Sequence, residues 1–106
     1  MTTENDSADP PLGACPPWCE KRPGHDWEDQ WAHGPMREHL RTVDQMGPYN
    51  AIRVREYEHF TEAGTRVRQR GIDLDLDQSA DWDAVNAERI VAAISTAITL
   101  YNQVDQ

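Results

Sequence analysis

Hydrophobic and polar residues alternate through the middle of the chain and recur at helical spacing near its end. In residues 51 to 60, Ile52 and Val54 alternate with Arg53 and Arg55, the period of a half-buried strand. Glu62-Ala63-Gly64 then reads as a hairpin turn, with Gly64 able to take positive φ. Residues 65 to 70 form the expected return strand, Val67 facing in and Arg66, Arg68 and Arg70 facing out. Gly71 interrupts that parity, because Ile72, Leu74 and Leu76 next alternate with Asp73, Asp75 and Asp77, so a bulge or a new strand is expected there. Upstream, residues 36 to 44 suit a short strand or a turn of helix, ended by Gly47-Pro48. From Ala80 to about Asn102 the period becomes helical: Ala87, Ile90, Ile94, Ala97, Ile98 and Tyr101 form one stripe, flanked by Trp82, Val91 and Leu100. Ser79 is the expected N-cap, with Asp81 and Asp83 in the first turn. The pattern predicts an α+β fold, a small antiparallel sheet of about three strands packed by one long C-terminal helix.

The front of the chain follows neither period. Residues 1 to 12 are polar and acidic, then proline-rich, and bury too little apolar area to offset ordering entropy, so a disordered tail is expected ahead of one domain over 13 to 106. Residues 13 to 35 are dense in Cys, Trp, His, Pro and Gly, which suits an irregular loop fixed by something other than a hydrogen-bond ladder. Cys15-Pro16-Pro17-Trp18-Cys19 leads to His25 after five residues and to His33 after seven more. Two thiolates and two imidazoles can close the tetrahedral shell that Zn2+ prefers, so Cys15, Cys19, His25 and His33 are the expected ligands of one structural zinc ion. His39 is the rival of His33 for the fourth position. The prolines stiffen the loop, Trp18 can shield the thiolates, and Gly24 and Gly34 let the backbone bend beside the histidines. Asp26 or Asp29 can accept the free imidazole N–H. Trp27 and Trp31, four apart, would share one face of a helical turn.

The run CPPWC, the histidine at 25 and His33-Gly34-Pro35 together resemble a family of small actinobacterial proteins of uncharacterised activity. Those proteins look like a CPxWC…H…HG module followed by two or three strands and an alanine-rich closing helix. The resemblance spans roughly residues 14 to 102 and rests on Cys15, Pro16, Trp18, Cys19, His25 and His33. It departs at the helix start, where Gln78-Ser79-Ala80-Asp81-Trp82 stands in place of a Thr-Pro-x-Glu-Ala type opening. It implies a zinc-binding fold and carries no activity.

Composition narrows the functions. With 106 residues, 38% hydrophobic, the chain suits one domain with a thin core, which a metal would staple. A net charge of -9 opposes general capture of nucleic acid or anionic lipid. Residues 51 to 71 are nonetheless locally basic, and Arg53, Arg55, Arg66, Arg68 and Arg70 could share one sheet face, either solvated and neutralised by nearby glutamates or laid against an anion. Asp73, Asp75 and Asp77 lack the glycine and closing glutamate of a calcium loop and read as an outward strand face that can pair with those arginines. The start of the chain lacks the apolar stretch of a signal peptide and no run is long enough to span a bilayer, so the cytosol is the expected compartment. Two cysteines there read as metal ligands rather than a disulfide. No Ser-His-Asp order or phosphate-binding glycine loop is present. The expectation is therefore a zinc-stabilised module that binds another protein and performs no catalysis. The alternatives are a zinc hydrolase with an open metal position, using Asp26, Glu28 or Asp29 as base, and a nucleic-acid binder acting through the arginine face.

Overall fold

The chain begins its regular structure as an antiparallel meander, and the partners of its third strand decide what is buried. The structure, a computed structural model, describes residues 9–103; residues 1–8 of the expected tail lie outside the described residues. Four strands follow in sheet order: β1 (Asp29–Trp31), β2 (Gly34–Gln45), β3 (Ala51–Phe60) and β4 (Arg66–Asp75). Among the described residues one helix, α1 (Ala84–Tyr101), packs across one face of the sheet. The α+β expectation holds, with a fourth strand supplied by Asp29–Trp31, inside the segment expected to be loop. Among the described residues no helix is long and apolar enough to cross a membrane.

The β3–β4 hairpin closes at Gly64, where φ is +83° and Thr61 and Thr65 bond across the turn. From there the register runs without a shift from Phe60↔Arg66 to Ala51↔Asp75. Gly71 therefore introduces no bulge; it sits opposite Arg55 in unbroken pairing. The irregularity falls in β2, between Thr42 and Asp44. Unbroken parity corrects the orientation expected for β4. Ile72 and Leu74 lie on the face of Ile52 and Val54, so Arg66, Arg68 and Arg70 lie on it too, opposite Phe60, Glu58 and Glu56. Arg53 and Arg55 are on the other face, so the five arginines do not share one. Those two meet acids, as the alternating aspartates suggested: Arg53 reaches Asp73 and Asp75 at 3.1 and 3.2 Å, and Arg55 reaches Glu38 and Asp73 at 2.6 and 3.4 Å.

The covered face has two halves. In the apolar half, Ile90, Ala93 and Ala97 of α1 pack on Ile52 and Val54, with Trp18 closing the cluster and Ile72, Leu76 and Trp82 around it. Small alanines at the contact bring the helix close to the sheet. In the polar half, Arg37, His39, Glu56 and Glu58 are all buried, at 0 to 2% exposure, beneath the loop that precedes β1. Charged side chains are seldom buried unless paired, and here each has partners.

Helix α1 starts later than the pattern predicts. Asp83, and not Ser79, is the N-cap: its carboxylate accepts the Asn86 N–H at 2.8 Å. Ser79 instead donates to Asp77 from a turn. Trp82 packs back on the core just before the helix begins. An Asp83→Ala change is expected to cost about 1 kcal/mol and to lower the thermal midpoint by roughly 4–8 °C, while Ser79→Ala leaves the melt nearly unchanged. The packed stripe is also rotated from expectation, toward Ala93, leaving Val91 and Ile98 exposed. Trp27 and Trp31 do not share a helical turn. Trp27 meets Phe60 edge to face above the covered face, while Trp31 lies against Tyr57 and His59 on the open one.

Candidate metal centre

Three of the side chains that define the centre come from two parts of the fold. Cys15 and His25 lie in the loop ahead of β1, and His39 points from β2 into the space under that loop. One donor atom from each of Cys15, His25 and His39 lies within 4.8 Å of the other two, so the cluster can hold a metal ion. The two imidazoles meet edge to face, with centroids 5.2 Å apart. Cys19 Sγ lies 3.9 Å from His25 Nε2, outside the group whose donor atoms are all within 4.8 Å of one another. Both cysteines are unpaired thiols and half-buried. The loop is shaped for this approach: Cys19 N–H bonds Pro16 O at 3.0 Å, and Gly24 takes φ +75° just before His25. His33, expected as a ligand, lies exposed in the turn between β1 and β2, and His39 stands in the cluster instead.

A carboxylate stands behind each histidine, and neither is an aspartate. Asp26 and Asp29 are occupied by the backbone N–H groups of Trp27 and Gln30. Glu28 Oε2 lies 2.9 Å from His25 Nδ1, while Lys21 and the Glu38 N–H hold the same carboxylate in place. Glu58 Oε1 lies 3.0 Å from His39 Nε2. His39 Nδ1, on the other side of the ring, is buried with no hydrogen-bond partner among the described residues. A buried nitrogen without a partner is costly, and a metal ion would satisfy it. At His39 the arrangement is the one metal-ligating histidines adopt, one nitrogen free and the other oriented by a carboxylate.

Glu58 also joins the centre to the rest of the sheet. Its oxygens accept from Arg37 Nε at 2.8 Å and from the Gly13 N–H at 2.9 Å, and Arg66 pairs with it as well. Burial alone would raise its pKa, but the bonds from His39, Arg37 and Gly13 outweigh burial and hold it at about 2. The arginines in turn bind loop carbonyls: Arg37 reaches His25 O and Gly13 O, Arg66 reaches Pro11 O, and Arg68 reaches Ala14 O. Pro10 O accepts from Trp27 Nε1, so the last residues of the expected tail are tethered. Of the arginines read as solvated or anion-binding, Arg66 and Arg68 thus join Arg37 in clasping the cysteine–histidine loop onto the sheet.

Burial lowers the pKa of His25, with Glu28 opposing, and burial lowers that of His39, with the Glu58 bond opposing. Both rings are therefore neutral at pH 7, the state that ligates metal. In the unfolded chain they take up protons from 6.5 downward, so the native state loses stability as pH falls below that value. Bound metal is expected to hold through neutral pH and to be released below about 6, as seen by native mass spectrometry across a pH series. Metal retained undiminished at pH 4 would contradict these assignments.

The fold and the site define a small α+β protein carrying a cysteine–histidine cluster capable of holding a metal ion. Compared with protein-family models, curated proteins and solved structures, the chain matches none.

Proposed function

We propose that this protein is a small zinc-binding module in which one ion, held by Cys15, Cys19, His25 and His39, is structural, and that its surfaces serve recognition of another protein. The observation that carries the reading is the convergence of Cys15, His25 and His39 within 4.8 Å. The donor set supports zinc, since thiolate with imidazole suits that ion and not calcium or magnesium. Tetrahedral zinc separates a sulfur and a nitrogen ligand by about 3.6 Å, near the 3.9 Å between Cys19 Sγ and His25 Nε2. A cytosolic setting would keep both thiols reduced.

A structural role follows from what the loop touches. It covers the buried charges of the sheet and occupies the outer edge of β2: Glu20 N–H bonds Leu40 O at 2.8 Å, and the Glu20 carboxylate takes the Thr42 N–H at 2.7 Å. The carboxylates a hydrolase would use as base are engaged, Glu28 with His25 and Lys21, Asp26 and Asp29 with backbone. X-ray absorption of the purified protein tests the reading. Two sulfur and two nitrogen neighbours per zinc are expected; a spectrum with a water ligand, or protein purified without metal, would overturn it. Proximity labelling in the native cell that enriches no protein would count against the recognition role.

A further inference from the structure

Residues 10 to 14, just ahead of Cys15, cross the polar half of the covered face as a strap whose carbonyls are taken by side chains. Pro10 O accepts from Trp27 Nε1 at 3.1 Å, Pro11 O from Arg66 Nη2 at 2.6 Å, and Ala14 O from Arg68 Nη2 at 2.7 Å. Gly13 lies among them and is bonded through both backbone groups: its O accepts from Arg37 Nη2, and its N–H donates to Glu58 Oε2 at 2.9 Å. The other oxygen of that carboxylate faces His39 Nε2 at 3.0 Å. One buried side chain therefore touches both the strap, two residues before Cys15, and the strand residue His39.

We propose that Gly13 is the positioning residue of the metal centre, a bare backbone joint that sets Cys15 of the loop against His39 of β2 before any metal arrives. The inference rests on the metal-binding reading above and adds to it a residue that supplies no ligand atom. Glycine is required there for space. The glycines with positive φ are Gly24, Gly34, Gly47 and Gly64, so backbone freedom does not account for Gly13. A Cβ at 13 would instead stand 2.7 Å from Glu58 Oε2 and 2.9 Å from Arg68 Nη1, with Arg66 Nη1 at 3.3 Å. Unstrained carbon contacts lie at about 3.5–4.0 Å.

Neither of the nearest groups is free to step aside. Glu58 is fully buried and bonded to Arg37 and Arg66 as well as to His39. Arg68 is held by Glu56 at 2.7 Å and by Ala14 O at 2.7 Å. A methyl group at 13 must therefore lift the strap off Glu58 or push Glu58 off His39. Lifting the strap carries Cys15 away from the imidazoles. Pushing Glu58 removes the acceptor that fixes the His39 tautomer. An ionised carboxylate only accepts, so the proton facing it sits on Nε2 and leaves Nδ1 bare, the buried nitrogen with no partner among the described residues. His25, oriented by Glu28, keeps its own carboxylate in either case.

The strap's fasteners belong to the sheet: Arg37 comes from β2, Glu58 from β3, and Arg66 and Arg68 from β4. Three strands thus place Cys15 without help from an ion. A ligand held in place by surrounding hydrogen bonds binds more tightly, because less ordering remains to be done when the metal enters.

Zinc affinity of the full chain, measured by chelator competition, and long-range proton–nitrogen spectra of its imidazoles without metal test the proposal. Gly13→Ala should bind zinc about 10–100-fold more weakly. Gly71→Ala, with nothing within 4 Å of its Cβ position, should match wild type. In metal-free wild type His39 should be a single tautomer protonated at Nε2; in Gly13→Ala it should be a mixture, with His25 unchanged. General loosening of the loop would disturb both rings, so a change confined to His39 marks positioning. Hydrogen exchange of metal-free wild type needs no variant, so the test stands even if Gly13→Ala does not fold. The Gly13 amide, bonded to Glu58, should exchange at least about tenfold more slowly than that of exposed Ala14, which has no acceptor among the described residues. Equal zinc affinity in Gly13→Ala and wild type, with His39 unchanged, would overturn the proposal and leave the metal reading standing. Exchange at Gly13 as fast as at Ala14 would do the same. A wild type that takes up no zinc would overturn both.

Discussion

Glu58→Gln is expected to destabilise the protein by about 3–5 kcal/mol at pH 7, the cost of removing one partner from a buried ion pair. Glu58 is fully buried and receives Arg37, Arg66, His39 and the Gly13 N–H. Glutamine keeps the shape but leaves Arg37 as a buried cation with no charge opposite it. The acid limb gives the sign independently. The carboxyl sits at about 2 in the folded protein against 4.5 as its ordinary value. A depressed carboxyl contributes stability that is complete above 4.5 and is lost as pH falls from 4.5 toward 2. The shift corresponds to on the order of 3 kcal/mol. Urea unfolding with chelator present should therefore separate wild type from variant widely at pH 7 and progressively less below pH 4.5. Coincident curves at pH 7 would show that the carboxylate does not hold the loop.

His39→Ala is expected to lower zinc affinity by more than 100-fold, beyond the ~10–100-fold typical of losing a group behind a ligand. His33→Ala should leave affinity unchanged. Glu28→Gln, which removes the carboxylate behind His25, should fall in the intermediate range. Competition with a chromogenic chelator measures all three. Loss of zinc at His33→Ala with retention at His39→Ala would reverse the ligand assignment. Metal loss should also reach the fold unevenly. Hydrogen exchange should rise first in residues 13 to 28 and along the β2 edge that this loop occupies, at Leu40 and Thr42, and last in α1. Arginine bonds to Pro11, Gly13 and Ala14 should keep the loop partly docked. A chelated protein in which β4 and α1 open before the loop would contradict that order.

What was legible in the sequence was local. Alternation marked β3 with its ends, a glycine marked the hairpin at 64, and helical spacing marked α1 to within a turn. Cysteines and histidines close together in sequence marked the metal loop, and Cys15 and His25 do converge. Tertiary structure decided which way the charged residues face. A strand pattern distinguishes its two sides only by polarity, and that rule assumes buried charges are unpaired. In β4 the period of two ran straight through Gly71, so an inward Ile72 already implied inward arginines; polarity argued the opposite and lost. The reason is that Glu56 and Glu58, on the neighbouring strand, neutralise Arg68, Arg70 and Arg66. His39 stood only as the rival of His33 for a related reason. In β2 the apolar Met36 and Leu40 share the opposite parity, which makes Arg37 and His39 read as solvent-facing. Their common partner Glu58 lies 21 and 19 residues away, beyond any local window. The sequence alone determined where β3, its hairpin and α1 would form and which side chains had metal chemistry, whereas β1 and the full length of β2 and β4 came with the folded sheet. Only the paired sheet decided which histidine reached the centre, because burial of a charge depends on a partner that the chain must fold to supply.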